Sequence, residues 1–211
     1  MERKIYTFEN KRVEKFNYLL HVPKTSGEKL PMIVMLHGAG ERGDNFDIIP
    51  VHGVAKYVMQ GKDVPAIVIA PQCPNNMIWN QLTVELKELI DFAITEYGAD
   101  PDRVSLTGLS MGGYGTWEMG MSYPGFFSAR APICGGGISW RVGLIGKTPV
   151  WAFHGDMDSA VPPQNSYEMC DRLKAAGGNV RLTVFHGVNH NSWVNAYEDT
   201  NLIDWLIAAK K

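Results

Sequence analysis

A serine between two glycines is the first residue in this chain with a spacing that suggests chemistry. Ser110 has Gly108 two positions before it and Gly112 two positions after it. Residues 103–108 are predicted to form a strand, and residues 111–122, which precede Pro124, are predicted to form a helix. A tight turn from a strand into a helix exposes its central side chain and leaves no room for side chains at the flanking positions. The pattern favours a nucleophilic serine over a glycine-rich turn that merely contains one.

A glycine-rich loop follows the apolar run of residues 32–36. Its glycines at 38, 40 and 43 have the spacing of a dinucleotide-binding loop, which requires an acidic residue at the end of the next strand, about 20 positions on. Asp63 has that spacing, but it precedes the next predicted strand instead of ending it. The favoured interpretation is a loop that begins His37-Gly-Ala-Gly and whose backbone N–H groups face a developing oxyanion.

Two carboxylates follow the predicted strand at residues 150–154. Asp156 and Asp158 lie two positions apart in one loop. Carboxylates at such a place can orient a histidine, bind a cation or cap the turn that follows. Their spacing in a tight loop argues against a general acid/base pair, whose members stand on opposite sides of a substrate.

Two histidines, His186 and His190, follow the predicted strand at residues 180–186. Four residues apart on a helix they would form a metal-ligand pair, but Gly187 follows the strand at once, so the segment is not helical and no metal site is predicted. We interpret His186 as structural and His190, in a polar loop, as functional. The order serine, aspartate, histidine along the chain is that of one hydrolase architecture.

The elements that must position these residues alternate between strands and helices. Strands are predicted at residues 16–22, 32–37, 66–70, 103–108, 129–134, 150–154 and 180–186, and helical periodicity marks residues 82–97, 111–122, 163–176 and 202–207. Nearly continuous apolar strands between helices indicate a mostly parallel sheet covered on both faces, with the ligand beyond the carboxyl ends of the strands. We predict a single α/β domain over residues 1–211, with seven to eight strands and no large lid domain.

Composition excludes several classes of protein. The 211 residues include 20 basic and 22 acidic side chains and are 45% hydrophobic, which is typical of a globular chain. The sequence contains no block of lysine and arginine residues of the kind that binds nucleic acid. Its longest apolar stretches fall far short of the roughly 20 residues that span a membrane. Three cysteines without motif spacing and an N-terminus without an apolar signal segment predict a cytoplasmic protein with free thiols.

These motifs together resemble those of the α/β-hydrolases. The resemblance is to the esterase and phospholipase–carboxylesterase branch, which is dienelactone-hydrolase-like and includes predicted peptidases and polyester depolymerase-like esterases. It extends from about Phe16 to Trp205. The segments that carry it are His37-Gly-Ala-Gly, Gly-Leu-Ser110-Met-Gly-Gly, His154-Gly-x-x-Asp158-x-x-Val-Pro and Gly-Val-Asn-His190.

The resemblance implies a role for individual residues. In the family signature the second carboxylate is the triad acid, so Asp158 is preferred to Asp156. The oxyanion donors correspond to the backbone N–H groups of Ala39 and Met111. True dienelactone hydrolases have a cysteine where this chain has Ser110, which argues against that activity.

The expected function is hydrolysis of carboxylic esters by Ser110, His190 and Asp158 through an acyl-enzyme, without a metal, nucleotide or prosthetic group. The expected substrate is a small-molecule ester with a short acyl, carbohydrate-linked or aryl group, and His37, Trp79 and Trp193 are candidate substrate contacts. Two alternatives stay open. One is a serine peptidase of the prolyl-oligopeptidase type, and the other is a catalytically silent module that binds ligands in the same pocket.

Overall fold

The computed structural model describes residues 6–8, 16–24 and 29–211, and within them eight strands form one sheet. The strands are β1 (Tyr6–Phe8), β2 (Phe16–His21), β3 (Leu30–Leu36), β4 (Ile67–Pro71), β5 (Ala99–Leu109), β6 (Ala129–Ile133), β7 (Val150–Gly155) and β8 (Val180–Phe185). Their order across the sheet is β1-β2-β4-β3-β5-β6-β7-β8. The strands from β3 to β8 pair in parallel, and β1 and β2 add an antiparallel edge. The predicted fold class, a mostly parallel sheet with flanking helices, is confirmed.

Helices cover both faces of the sheet. They are α1 (Gly53–Met59), α2 (Thr83–Tyr97), α3 (Met111–Ser122), α4 (Gln164–Ala175), α5 (Trp193–Glu198) and α6 (Leu202–Ala208). Apolar residues of α1, α5 and α6 pack on one face, whereas those of α2, α3 and α4 pack on the other. No helix among the described residues is both long and apolar enough to span a membrane.

The central strand β3 shows why the strands are apolar throughout. Ile33 and Met35 point into the layer that holds α1, α5 and α6, while Met32 and Val34 point into the layer that holds α2. Successive side chains of a strand face opposite sides, so a strand with helices on both sides buries every residue. The three cysteines at 73, 134 and 170 are free and buried, as expected from their spacing.

Besides several 3₁₀ turns, the described structure adds one strand and two α-helices that the sequence patterns did not predict: β1, α1 and α5. Each is short, with three, seven and six residues, so neither strand alternation nor helical periodicity has room to develop. The seven predicted strands and four predicted helices are present with boundaries shifted by a few residues. Residues 1–5, part of the segment used to predict the absence of a secretory signal, lie outside the described residues.

Candidate active site

The turn between β5 and α3 presents Ser110 at the carboxyl edge of the sheet. Ser110 has φ 53° and ψ −117°, a backbone conformation that non-glycine residues rarely adopt. The flanking glycines allow β5 and α3 to approach closely, because a Cβ on Gly112 would collide with the carbonyl oxygen of Leu36, and one on Gly108 with that of Gly112. The Ser110 amide donates to the Ile133 carbonyl at 2.9 Å, which ties the strained turn to β6.

Three loops bring Ser110, His190 and Asp158 into one hydrogen-bonded row. The Oγ of Ser110 lies 2.9 Å from Nε2 of His190, and Nδ1 of His190 lies 2.7 Å from Oδ2 of Asp158. These residues come from the ends of β5, β7 and β8, which lie at the same edge because the strands are parallel. The arrangement allows His190 to accept a proton from Ser110 while Asp158 holds the imidazole from its other side.

Asp158 is ionised and tightly held. Its side chain has no exposed surface, and its Oδ1 accepts hydrogen bonds from the backbone amides of Ala160 at 3.0 Å and Val161 at 2.8 Å. Burial raises the pKa of Asp158, but the hydrogen bonds from His190 and from these amides outweigh it, so the pKa lies below its usual range. The carboxylate is therefore charged at neutral pH, where it can stabilise an imidazolium.

Asp156, the alternative acid, has a different partner. Its Oδ2 lies 2.9 Å from Nδ1 of His186, and its Oδ1 accepts the amide of Gly187 at 2.7 Å. The imidazole of His186 is 89% exposed, and no hydrogen bond joins either residue to Ser110 within the described chain. The structure thus separates the two carboxylates and the two histidines into two pairs.

Two backbone amides lie beside Ser110. Met111 is the first residue of α3, and Ala39 is the first residue of a 3₁₀ turn, so helical geometry gives neither N–H an acceptor within its own helix. The loop containing Ala39 lies against the serine, because a Cβ on Gly38 would approach Leu109 to 3.0 Å and the Cβ of Ser110 to 3.7 Å. The loop that contains Ala39 thus lies close to the turn at Ser110, and the assignment of the two N–H groups as oxyanion donors stays a prediction.

His37 and Trp79, predicted as substrate contacts, instead support this loop. Trp79 has no exposed surface, and His37 is almost fully buried. Nδ1 of His37 donates to the Gly38 carbonyl at 2.6 Å, Nε2 accepts the Cys73 amide at 2.9 Å, and the His37 carbonyl accepts the indole N–H of Trp79 at 2.9 Å. Burial lowers the pKa of His37 to about 4, which keeps the ring neutral. The predicted substrate contact is corrected to a structural role, because enclosed side chains do not reach a bound ester.

Trp193, the third predicted contact, lies at the rim of the site. Its ring packs edge-on against His190, with 5.4 Å between centroids, and it also contacts His52 at 5.2 Å. The side chain is partly exposed. Trp193 therefore packs against the His190 ring, while other residues line the cleft beside Ser110.

A cleft of about 400 Å³ opens beside the nucleophile. Ser110 lines it together with Ile78, Asn80, Met111 and Tyr114. Sequence reasoning missed the walls at 78 and 80, because residues outside a periodic segment carry no signal of what they face, and it also missed Tyr114 in α3. The only sequence clue is the position of Tyr114 one helical turn after the serine.

Cys134 lies beneath the hydrogen-bonded row. Its Sγ and ligand atoms of Asp158 and His190 all lie within 4.8 Å of one another, a grouping that resembles a metal site. Burial raises the pKa of Cys134 to about 12, so the thiol stays protonated and is a poor ligand. The other two groups already bind each other, and their chemistry fits proton transfer better than metal coordination.

Comparison with known proteins identifies the family. Residues 67–202 match the phospholipase/carboxylesterase family of α/β-hydrolases. The chain belongs to this family. The predicted resemblance is therefore confirmed, and the prediction of a carboxylic ester hydrolase agrees with it.

Individual relatives share between 23% and 34% of their residues with this chain. A crystal structure of a thermostable esterase superposes with a TM-score of 0.91 at 34% identity, covering 99% of this chain and 63% of that one. Poly(3-hydroxyalkanoate) depolymerase C of Paucimonas lemoignei is 23% identical, over 80% of this chain and 48% of its own length. Acetylxylan esterase A of Emericella nidulans is 24% identical, over 89% of this chain and 73% of its own length. The chain thus spans about half of the depolymerase and less than two thirds of the thermostable esterase.

Proposed function

We propose that this protein is a serine esterase that hydrolyses carboxylic esters through an acyl-enzyme on Ser110. The observation that carries the proposal is the continuous row from Ser110 Oγ through the His190 ring to Asp158 Oδ2, with contacts of 2.9 and 2.7 Å. A serine hydroxyl is a weak nucleophile until a base accepts its proton, and this geometry supplies the base and its orienting acid.

The first half of the reaction acylates the serine. Asp158 accepts the Nδ1–H of His190, which leaves the Nε2 lone pair facing the Ser110 hydroxyl. As Oγ attacks the ester carbonyl, its proton moves to Nε2, and the charge of the imidazolium is balanced by Asp158. The protonated ring then gives this proton to the departing alcohol.

The backbone amides of Ala39 and Met111 are proposed to stabilise the negative charge that develops on the substrate. The tetrahedral intermediate carries its negative charge on the former carbonyl oxygen, and two N–H groups at the nucleophile's turn can donate to it. Each such donor typically contributes about 3–4 kcal/mol to transition-state stabilisation. Water then attacks the acyl-enzyme with His190 as base, which releases the acid and restores Ser110.

The cleft supports a substrate with a small acyl or alcohol group. Ile78 and Met111 provide an apolar wall, while the Asn80 amide and the Tyr114 hydroxyl provide hydrogen-bonding groups. A mostly apolar surface with two hydrogen-bonding side chains fits a short acyl group next to a hydroxylated or aromatic alcohol. We therefore infer short-acyl esters, carried on a carbohydrate or an aryl group, as the substrate class. The similarity to an acetylxylan esterase supports the carbohydrate-linked form.

A fluorophosphonate probe and a panel of esters test the proposal. The probe is expected to label the wild-type protein at Ser110, and Ser110→Ala is expected to abolish both labelling and turnover while the melting temperature stays close to that of the wild type. Acetyl and propionyl esters of p-nitrophenol should turn over faster than octanoyl esters, and acetylated sugars and phenyl acetate should be hydrolysed.

The alternatives give different results in the same experiment. A catalytically silent binding module shows neither labelling nor turnover. A serine peptidase labels at Ser110 and also cleaves an aminoacyl p-nitroanilide or a peptide, which an esterase leaves intact. Either result would replace the esterase proposal.

A further inference from the structure

A second imidazole contacts the acid of the triad. His154, in β7, has no exposed surface, and its Nε2 lies 3.2 Å from Oδ2 of Asp158 and 2.9 Å from the carbonyl oxygen of Val161. Its Nδ1 lies 2.7 Å from Oγ of Ser166, in the first turn of α4. Proton transfer between His190 and Ser110 does not itself require this side chain, so its placement calls for a separate explanation.

The neighbours of His154 determine where its proton lies. The Val161 carbonyl only accepts hydrogen bonds, so Nε2 must carry a proton to bind it. In the neutral ring Nδ1 is then an acceptor, and the Ser166 hydroxyl, which lies 2.7 Å from Nδ1 and 3.1 Å from the Gly135 carbonyl oxygen, can donate its proton to the nearer Nδ1. Burial lowers the pKa of His154, which favours this neutral form. The Nε2–H is thus directed at two oxygens, those of Val161 and Asp158.

This proton completes the hydrogen bonding of the triad acid. Oδ1 of Asp158 accepts the amides of Ala160 and Val161, while Oδ2 receives Nδ1–H of His190 and faces Nε2–H of His154. A carboxylate offers about four lone-pair sites. With three hydrogen bonds, and with Nε2 of His154 at 3.2 Å from Oδ2, the carboxylate has little freedom to rotate away from His190.

We propose that His154 is a positioning residue of the active site, whose Nε2–H fixes the Asp158 oxygen that binds His190. The inference rests on the proposed esterase function. His154 is fully buried and is not among the described residues that line the cleft beside Ser110, so it acts on proton transfer and not on substrate binding. Its loss therefore lowers kcat and leaves KM unchanged.

Two substitutions separate this role from packing. The side-chain amide nitrogen of glutamine can occupy the position of a histidine Nε2, whereas that of asparagine reaches only the position of Nδ1. His154→Gln keeps a donor for Asp158, and His154→Asn removes it. We expect kcat for p-nitrophenyl acetate within about threefold of wild type for His154→Gln, and about 10- to 100-fold lower for His154→Asn, the effect of losing a hydrogen bond to a charged group.

The outcomes distinguish the inference from the function on which it rests. If the wild type neither labels with fluorophosphonate nor turns over ester, the esterase proposal fails. If the wild type is active and the two variants lose kcat equally, in proportion to their melting temperatures, His154 only fills space and the inference is wrong. An unchanged kcat in His154→Asn also overturns it.

A measurement on the unaltered protein does not depend on the folding of any variant. Long-range proton–nitrogen NMR of the ¹⁵N-histidine-labelled enzyme reports which ring nitrogens carry protons. We expect a proton on Nε2 of His154 at pH 7.5, assigned with the His154→Gln variant. A neutral ring protonated only at Nδ1 has nothing to donate to Asp158 and overturns the inference.

Discussion

Two aspartate–histidine pairs join the same two loops, and they differ in almost everything except composition. Asp158 and His190 are 32 residues apart with 2.7 Å between their polar atoms, and Asp156 and His186 are 30 residues apart with 2.9 Å between theirs. The Asp158 side chain is fully buried and the His190 side chain is 26% exposed, whereas the second pair is exposed at 30% and 89%. The first pair continues to the hydroxyl of Ser110, whereas the further partner of the second pair is the backbone amide of Gly187.

The difference shows that a short distance between opposite charges does not by itself make a functional pair. An exposed carboxylate and imidazole exchange one another for water at little cost, so their interaction is weak and screened by salt. Solvent does not reach the Asp158 carboxylate, because backbone amides and His154 enclose it, so water cannot replace a hydrogen-bond donor that is lost. Burial therefore turns the same two residue types into an oriented base.

The two histidines provide the sharpest test of this contrast. Removing His190 takes away the base, and loss of such a group in a serine hydrolase lowers kcat by about 10⁶-fold. We therefore expect His190→Ala to be nearly inactive, while His186→Ala stays within about tenfold of the wild-type kcat/KM. Ester hydrolysis measured at equal amounts of folded protein decides between them. If His186→Ala were the inactive variant, the assignment of the base would be reversed.

The second-largest expected effect comes from substituting the two carboxylates. An amide at position 158 can present an N–H to His190 and stabilise the wrong tautomer, which typically lowers kcat by about 10⁴-fold. Asp158→Asn should show this loss, and Asp156→Asn should cost less than about tenfold. Paired kcat values on one ester, with circular dichroism to verify folding, check the prediction. A larger loss in Asp156→Asn would contradict the division into a buried functional pair and an exposed one.

The sequence predicted one part of this site because its chemistry is local. The turn at Ser110 requires glycine at 108 and 112 for steric reasons, and parallel strands bring their carboxyl ends to one edge, so serine, acid and histidine could be placed together. The preference for Asp158 came from the family signature. The structure gives its physical basis in the 2.7 Å contact with His190.

Other parts of the site depend on which side chains are buried, and the residue types and their spacing do not report this. Trp79 and His37 lie in segments expected at the active edge, yet Trp79 turns inward to donate to the His37 carbonyl. The contact between His154 and Asp158 depends on Ser166, in a helix beyond the loop. Nothing in the spacing of these residues distinguishes a ring that faces substrate from one that supports a loop.

The contrast between buried and exposed imidazoles extends to stability. Burial lowers the pKa of His37 from 6.5 to about 4. Between these values the unfolded chain binds a proton that the folded protein does not, so the free energy of unfolding falls as the pH drops from about 6.5 towards 4. One group with this shift contributes a loss of about 3 kcal/mol.

His37→Asn keeps a donor near the Gly38 carbonyl and removes the titrating ring. We expect the variant to be less stable at pH 7.5 but to lose less free energy of unfolding between pH 6.5 and 4.5 than the wild type. Urea denaturation at several pH values measures both slopes. Equal slopes for His37→Asn and wild type would contradict a neutral, buried His37.

The smallest effect separates the two interactions that Asp156 makes. Its Oδ2 pairs with the exposed His186, while its Oδ1 accepts the amide of Gly187, a turn residue with φ 73°. Asp156→Asn preserves an oxygen for the Gly187 amide and removes only the charge, so we expect the melting temperature to change by less than about 1 °C. Asp156→Ala removes both interactions and should lower the melting temperature by about 2–4 °C, because the turn that leads to His190 loses a backbone anchor.

Differential scanning calorimetry at low and high salt compares the variants. If Asp156→Asn were as destabilising as Asp156→Ala and its effect vanished in salt, the ion pair and not the turn would hold this loop, and the two pairs would be more alike than their burial implies.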